Sequence, residues 1–123
     1  MTRYLVATAS APTTEAACEY LSDKLEADDE VYVLTVDVQE ETNDREAALD
    51  TAQVRLTDLV EVRTIRRSGV PAREIVNFAR ENEVDEIIMG PARAGGISTI
   101  GSTTRAVLNK MDKPVFVVPA RSS

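Results

Sequence analysis

Apolar residues along this chain alternate between short continuous runs and longer segments in which they recur every third or fourth position. The mainly apolar runs lie within residues 4–7, 31–36, 86–89 and 115–118, and each has the length and composition of a buried strand. Spacing typical of one helical face predicts four helices, marked in turn by Ala17, Leu21 and Leu25; by Ala48, Ala52, Leu56 and Leu59; by Ala72, Ile75, Val76 and Ala79; and by Ile100, Thr104, Val107, Leu108 and Met111.

A fifth strand is predicted over residues 61–67, where polar and apolar residues partly alternate, as is typical of a sheet edge. Pro12, Thr13 and Thr14 suit the start of the first helix, and Pro71 suits the first turn of the third. Five strands alternating with four helices predict a three-layer α/β/α sandwich around a parallel sheet, because each crossover packs its helix on the sheet. All 123 residues are expected to form one domain.

Ligands of such sheets bind beyond the carboxyl ends of the strands, at the point where the strand order reverses. The segments that follow Ala7, Val36 and Met89 are therefore expected to surround one cleft. The last of these segments, residues 90–103, is rich in small residues and lies where a ligand site is expected.

This small-residue segment ends in the sequence Gly101-Ser102-Thr103. Glycines let backbone N–H groups approach a ligand closely, and a helix that begins between Ser98 and Ser102 would direct its positive end at an anion. The segment therefore predicts a phosphate site. The alternative is that Gly90 and Gly101 serve only tight turns and close helix packing, and that Ser102 and Thr103 only hydrogen-bond the helix end.

The charge balance disfavours polyanionic partners. The chain has 21 acidic and 14 basic residues, a net charge of −7 that repels nucleic acid and anionic membranes. Only three basic residues are lysine, and this composition favours a protein of a high-salt cytoplasm, the alternative being an ordinary acidic protein. Acidic runs such as Asp28-Asp29-Glu30 are expected to be solvated surface.

Several chemistries are disfavoured by what the sequence lacks. It has no histidine and one cysteine, so an internal disulfide and a multi-thiolate metal site are excluded. Cys18 is expected to be a packed, inert thiol. The chain also has no Gly-x-Ser-x-Gly motif and no lysine after the glycine segment, so catalysis is not expected. Without an apolar run of about 20 residues or a signal-peptide pattern, a cytoplasmic location is expected.

Four short motifs follow one another along the chain: Val-Leu-Thr-Val at 33–36, Gly-Val-Pro at 69–71, Asp-Glu-Ile-Ile-Met-Gly at 85–90 and Lys-Pro-Val-Phe-Val-Val-Pro at 113–119. In this order they resemble the universal stress protein family, and the resemblance covers nearly the whole chain. It implies an adenine-nucleotide α-hydrolase-like fold with sheet order 3-2-1-4-5 and, in one branch of the family, ATP in the cleft. It also implies a homodimer joined through the last strand, which comprises Val115, Phe116, Val117 and Val118.

The chain departs from the nucleotide-binding branch of that family at two places. The branch carries glycine, two residues, glycine, nine residues, glycine and then serine or threonine. Gly90 and Gly101 match the outer positions, but Arg93 stands at the second glycine, and ten residues rather than twelve separate Gly90 from Gly101. The branch also has an aspartate where this chain has Ala9, whereas Val36 still resembles an apolar residue that flanks adenine, as does Met89.

The resemblance therefore implies a non-enzymatic stress-response or regulatory homodimer with a degenerate nucleotide cleft. One alternative is an ATP- or AMP-binding protein with slow or no hydrolysis, and another is an adenine-binding module like that of electron-transfer flavoproteins. Arg93 has two alternative roles, a surface pair with a carboxylate or a contact to phosphate. The cleft residues expected are Thr8, Ala9, Val36, Met89, Gly90, Arg93, Gly95, Gly101, Ser102 and Thr103.

Overall fold

The computed structural model describes residues 1–37, 43–90, 92–94, 97–99 and 101–118, and of 43–45, 92–94 and 97–99 it describes the backbone. Strands and helices alternate along the chain. In order they are β1 (Arg3–Ala7), α1 (Ala11–Ser22), β2 (Glu30–Asp37), α2 (Asn43–Leu56), β3 (Glu61–Ser68), α3 (Pro71–Glu81), β4 (Glu86–Met89), β5 (Ala92–Ala94), β6 (Ile97–Thr99), α4 (Ser102–Lys110) and β7 (Val115–Val117).

Five of these strands form a parallel sheet in the order β3-β2-β1-β4-β7. Because β7 is the fifth strand of this sheet along the chain, the order is the 3-2-1-4-5 that the resemblance implies. The central strand β1 pairs with β2 on one side and with β4 on the other. The strand order reverses beside β1, so its carboxyl end is the place where a cleft is expected.

Alternate side chains of the strands enter two separate cores, which makes the predicted three layers. Val6 of β1 packs in the core that α1 and α2 cover, together with Leu21 and Leu56. Leu5 faces the opposite core, which contains Ile75 of α3. Val107 of α4 is also fully buried there. The period-2 alternation along each strand therefore distributes its apolar residues over both faces of the sheet.

Helix α1 begins earlier than its proline and threonines suggest. It begins at Ala11, because the Ser10 side chain caps it by accepting a hydrogen bond from the Thr13 backbone N–H at 3.4 Å. Pro12 lies within the first turn, where its missing N–H costs nothing. The helix ends at Ser22, so Leu25 lies beyond it and packs partly buried against the core.

Three expectations from apolar spacing and charge are wrong. Leu59 lies past the end of α2 and is 46% exposed, and Val60 is buried instead. Leu108 of α4 is 44% exposed, because this helix packs against the core through Thr104 and Val107. Asp29, expected on the solvated surface, is buried because its carboxylate accepts the backbone N–H groups of Thr2 at 2.8 Å and Glu26 at 2.9 Å.

The small-residue segment contains two strands that the sequence pattern does not predict. Strands β5 and β6 pair antiparallel, with Arg93 opposite Ser98. Helix α4 begins at Ser102, the later end of the predicted range, and Ile100 lies outside the described residues. Three-residue strands are too short to show a period of two, which explains why the pattern predicts a loop here. No helix among the described residues is long and apolar enough to cross a membrane.

Candidate functional site

A cleft of about 320 Å³ lies over the carboxyl ends of β1, β2 and β4, at the reversal of strand order. Eight of the ten expected cleft residues line it: Thr8, Ala9, Val36, Met89, Gly90, Gly101, Ser102 and Thr103. Arg93 lies in β5 and its side chain is outside the described residues, as is Gly95. The cleft therefore lies where the sequence analysis expects a ligand site.

Six further lining residues are missed by the sequence analysis: Ala7, Thr13, Leu34, Pro71, Ile75 and Thr104. Each lies near the end of a strand or in the first two turns of a helix next to the reversal point. Position relative to that point is the signal that could have found them, since apolar spacing assigns Ile75 and Thr104 only to helix faces that point inward.

One wall of the cleft is apolar and rigid. Leu34 and Val36 of β2, Ile75 of α3 and Met89 of β4 all belong to one buried core cluster and also line the cleft. Each is at most 7% exposed. Because core packing fixes these side chains, the wall is formed before any ligand arrives, as is usual for small-molecule sites.

The N-terminus of α4 forms the polar end of the cleft. Its N-cap residue is Gly101, which has no side chain to accept a hydrogen bond from the first turn. The N–H of Arg105 bonds to the Gly101 carbonyl at 3.0 Å, so the N–H groups of Ser102, Thr103 and Thr104 precede the first intrahelical bond. All three residues line the cleft. The helix therefore presents donors and the positive end of its dipole to an anion there.

Opposite α4, four hydroxyl side chains form a hydrogen-bonded group at the start of α1, which we call the hydroxyl cluster: Thr8, Ser10, Thr13 and Thr14. The Thr8 hydroxyl donates to the Ser10 carbonyl at 3.0 Å and accepts from the Ser10 N–H at 3.3 Å. It also accepts from the Thr14 hydroxyl at 3.0 Å. The Ser10 hydroxyl donates to the Thr13 hydroxyl oxygen at 3.1 Å. Thr8 thus lines the cleft while its hydroxyl bonds within the protein.

Gly90 lies directly against the hydroxyl cluster. A Cβ atom at this position would stand 2.6 Å from Cγ2 of Thr13 and 3.0 Å from its Oγ1. Both separations are well inside van der Waals contact. Close packing, one of the two alternatives for Gly90, is therefore present, and it brings the end of β4 against the first turn of α1.

The electrostatic character of the cleft comes from dipoles and hydroxyls. None of the described residues that line it carries a charge. Nearby, Arg66 bonds both carboxylate oxygens of Asp37 at 3.1 Å. Within the described part of the chain, no group of His, Cys, Asp and Glu side chains could hold a metal ion.

Cys18 lies away from the cleft lining, on the buried side of α1. It is 3% exposed, and burial raises the pKa of its thiol from 9.0 to about 11. At neutral pH the thiol therefore stays protonated, which is the state of a packed, inert cysteine.

Comparisons with known proteins agree with this architecture. Universal stress protein MJ0577 of Methanocaldococcus jannaschii is 32% identical over 92 residues, which cover 73% of this chain and 53% of that protein's length. Its solved structure matches with a TM-score of 0.83 and 28% identity over 99% of this chain and 98% of that one.

Two more distant structures share the fold. A universal stress protein from Archaeoglobus fulgidus, solved in complex with dAMP, has a TM-score of 0.68 and 21% identity, covering 96% of this chain and 98% of that one. A family protein from Arabidopsis thaliana with AMP bound has a TM-score of 0.72 and 15% identity, covering 99% and 94%. The model of the universal stress protein family matches residues 1–119. This chain belongs to the universal stress protein family.

Proposed function

We propose that this chain is a non-catalytic regulatory protein that binds an adenine nucleotide, AMP or ATP, weakly in the cleft. The observation that carries the proposal is the apolar wall beside the uncapped N-terminus of α4. An apolar wall suits a purine ring, and an open helix N-terminus suits a phosphate. Relatives of the same fold that hold AMP and dAMP support an adenine nucleotide.

The affinity is expected to be low, because the described lining offers no cation to a phosphate. The Ala9 side chain supplies no acceptor, and the net charge of −7 repels anions. Each hydrogen bond that is not made costs about 0.5 to 1.5 kcal/mol. We expect a dissociation constant for ATP above about 100 μM, which corresponds to less than roughly 5.5 kcal/mol of binding free energy.

A binding role without catalysis is favoured by the side chains around the cleft. General acid–base catalysis needs a group that titrates near the working pH. The sequence has no histidine, and the described lining residues include no carboxylate, amine or thiol. A phosphate ester bound there would meet hydroxyls and backbone N–H groups, which orient a ligand and do not abstract protons at neutral pH.

Thr103 offers the sharpest test of nucleotide binding. A Glu in the first turn of α4 favours the helix through its dipole but repels a phosphate at the same place. We therefore expect Thr103→Glu to weaken AMP binding at least about tenfold, with an unchanged or higher melting temperature. Thr103→Gln is the neutral control and should bind AMP more tightly than Thr103→Glu. Calorimetry that finds no saturable AMP binding by the wild type, or equal binding by both variants, would refute the proposal.

We further propose a homodimer through β7. Among the described strands β7 pairs with β4 alone, so its outer edge carries unpaired backbone groups. Phe116 is 41% exposed and Val117 37% exposed on that edge. Pairing about a two-fold axis would bury both. Val117→Lys should give monomers in sedimentation, whereas Val54→Lys, at an apolar residue on α2 that is 81% exposed, should not. A wild type that is monomeric at micromolar concentration contradicts this.

A high-salt cytoplasm is the setting that we propose for this protein. The support is the net charge of −7 and the presence of only three lysines among 14 basic residues. Concentrated salt screens the repulsion between surface carboxylates, so a chain of this composition is suited to it.

A further inference from the structure

Counting protons in the hydroxyl cluster distinguishes its members. A threonine hydroxyl has one proton to donate and two lone pairs to accept with. Thr8 has a partner for each, because it donates to the Ser10 carbonyl and lies within hydrogen-bond distance of the Ser10 N–H and the Thr14 hydroxyl, which is also 3.1 Å from the Ser10 carbonyl. Thr8 therefore has no proton left for a ligand, although it lines the cleft.

Thr13 is in the opposite state. Its Oγ1 accepts the Ser10 hydroxyl proton at 3.1 Å, and its backbone N–H bonds to the same Ser10 oxygen at 3.4 Å. The two hydroxyls share one hydrogen bond, so one of their two protons meets no acceptor among the described residues, and of the two residues only Thr13 lines the cleft. With Ser10 donating to Thr13, the Thr13 proton is the one left for a ligand in the cleft.

The orientation of this donor is fixed by packing. The Thr13 methyl group and hydroxyl both lie against Gly90, where a Cβ would be 2.6 Å from Cγ2 and 3.0 Å from Oγ1. The Ser10 hydroxyl holds the same oxygen through its hydrogen bond. A side chain confined between a backbone and a hydrogen bond loses little entropy when a ligand binds, so its donor is preorganised.

We propose that Thr13 is a ligand-binding residue of this cleft and donates a hydrogen bond to an acceptor atom of the bound nucleotide. The proposal rests on the proposed nucleotide function and adds a contact that neither the glycine segment nor the α4 N-terminus supplies. Thr8 is then a positioning residue, because it fixes the Ser10 backbone, and Ser10 in turn orients Thr13.

Two substitutions separate the hydroxyl of Thr13 from its shape. Thr13→Val keeps the methyl contact with Gly90 and removes the donor, whereas Thr13→Ser keeps the donor and removes the methyl group. We expect Thr13→Val to weaken AMP binding about three- to tenfold in calorimetry and Thr13→Ser to stay within about twofold of the wild type. Thr51→Val is the matched control, because Thr51 lies on α2 and donates only to the Ala47 carbonyl at 2.9 Å.

The outcomes separate failure of this inference from failure of the proposed function. No AMP binding by the wild type refutes the function, and the inference with it. Binding by the wild type that Thr13→Val leaves unchanged overturns the inference alone. Equal weakening in Thr13→Val and Thr13→Ser also overturns it, since shape and not the hydroxyl would then matter. If Thr13→Val melts well below the wild type, Thr13→Ala is compared with Thr13→Ser instead, because these two variants differ only in the hydroxyl.

Discussion

Replacing Gly90 by alanine should destabilise the fold through one identifiable contact. The new Cβ would lie 2.6 Å from Cγ2, 3.0 Å from Oγ1 and 3.3 Å from Cβ of Thr13. Backbone strain is not the cause, because among the described glycines only Gly69 has a positive φ. The cost therefore arises where the end of β4 meets the first turn of α1.

The size of the effect follows from the distances. Carbon atoms pack best about 3.5 to 4.0 Å apart, so the Thr13 methyl group must retreat by about 1 Å. Ser10 restrains that movement through two hydrogen bonds. Overpacking of this kind costs about 1 to 3 kcal/mol, and the lower entropy of the unfolded chain returns about 0.4 to 1 kcal/mol. We expect a net loss of about 0.5 to 2 kcal/mol.

A double-mutant cycle isolates the contact. Thr13→Ala removes both of the nearest atoms, so the double variant should recover most of the loss, with a coupling energy of at least about 1 kcal/mol. Urea unfolding followed by far-UV circular dichroism suits this chain, since it has no tryptophan. Gly69→Ala is the control, because its cost arises from a φ of 137° and should add to that of Thr13→Ala. Coupling below about 0.5 kcal/mol between Gly90→Ala and Thr13→Ala would refute the reasoning.

Three further predictions concern the thiol, the surface charge and Arg93. Burial raises the pKa of Cys18 from 9.0 to about 11, so at pH 8 the native protein should contain about a hundredfold less thiolate than the unfolded chain. Cys18 should therefore react slowly with a disulfide reagent until urea unfolds the chain. Above pH 9 the thiol of the folded chain keeps its proton while that of the unfolded chain loses it, so the free energy of unfolding should fall between pH 9 and about 11. Cys18→Ala should show a smaller fall over the same pH range. The melting temperature should rise between about 0.1 and about 1 M potassium chloride, as the Debye length shrinks from about 10 to about 3 Å, and a flat or falling response would indicate an ordinary acidic protein. Calorimetry with Mg-ATP should find weak binding that Arg93→Gly hardly changes, and tight binding that the substitution abolishes would identify Arg93 as a phosphate ligand.

The fold was predictable because the burial of each strand in a parallel sheet leaves a recognisable pattern in the local sequence. Strands buried on both faces form apolar runs, and the polar run at 61–67 correctly placed β3 at the edge. The wrong predictions concern segments in which the pattern is short or ends. Leu59 and Leu108 continue a helical spacing of apolar residues but lie exposed outside the core. The strands on either side of residues 95–96 have three residues each, too few to show a period of two.

Part of the candidate site can be predicted from residue types in the sequence, and the rest is recognisable only in the folded structure. Glycine has few reasons to stand after a buried strand, so Gly90 and Gly101 point to the cleft from the sequence alone. A threonine does not indicate a ligand site in the same way, because its hydroxyl is equally suited to helix caps, turns and ligand contacts. Thr8 and Thr13 lie five positions apart and have identical chemistry, yet the Ser10 carbonyl takes the proton of Thr8, whereas Thr13 can accept the proton of Ser10 and keep its own for a ligand. The difference is set by partners that the first turn of α1 brings together, so what a threonine can offer a ligand depends on which of its hydrogen bonds the fold has already made.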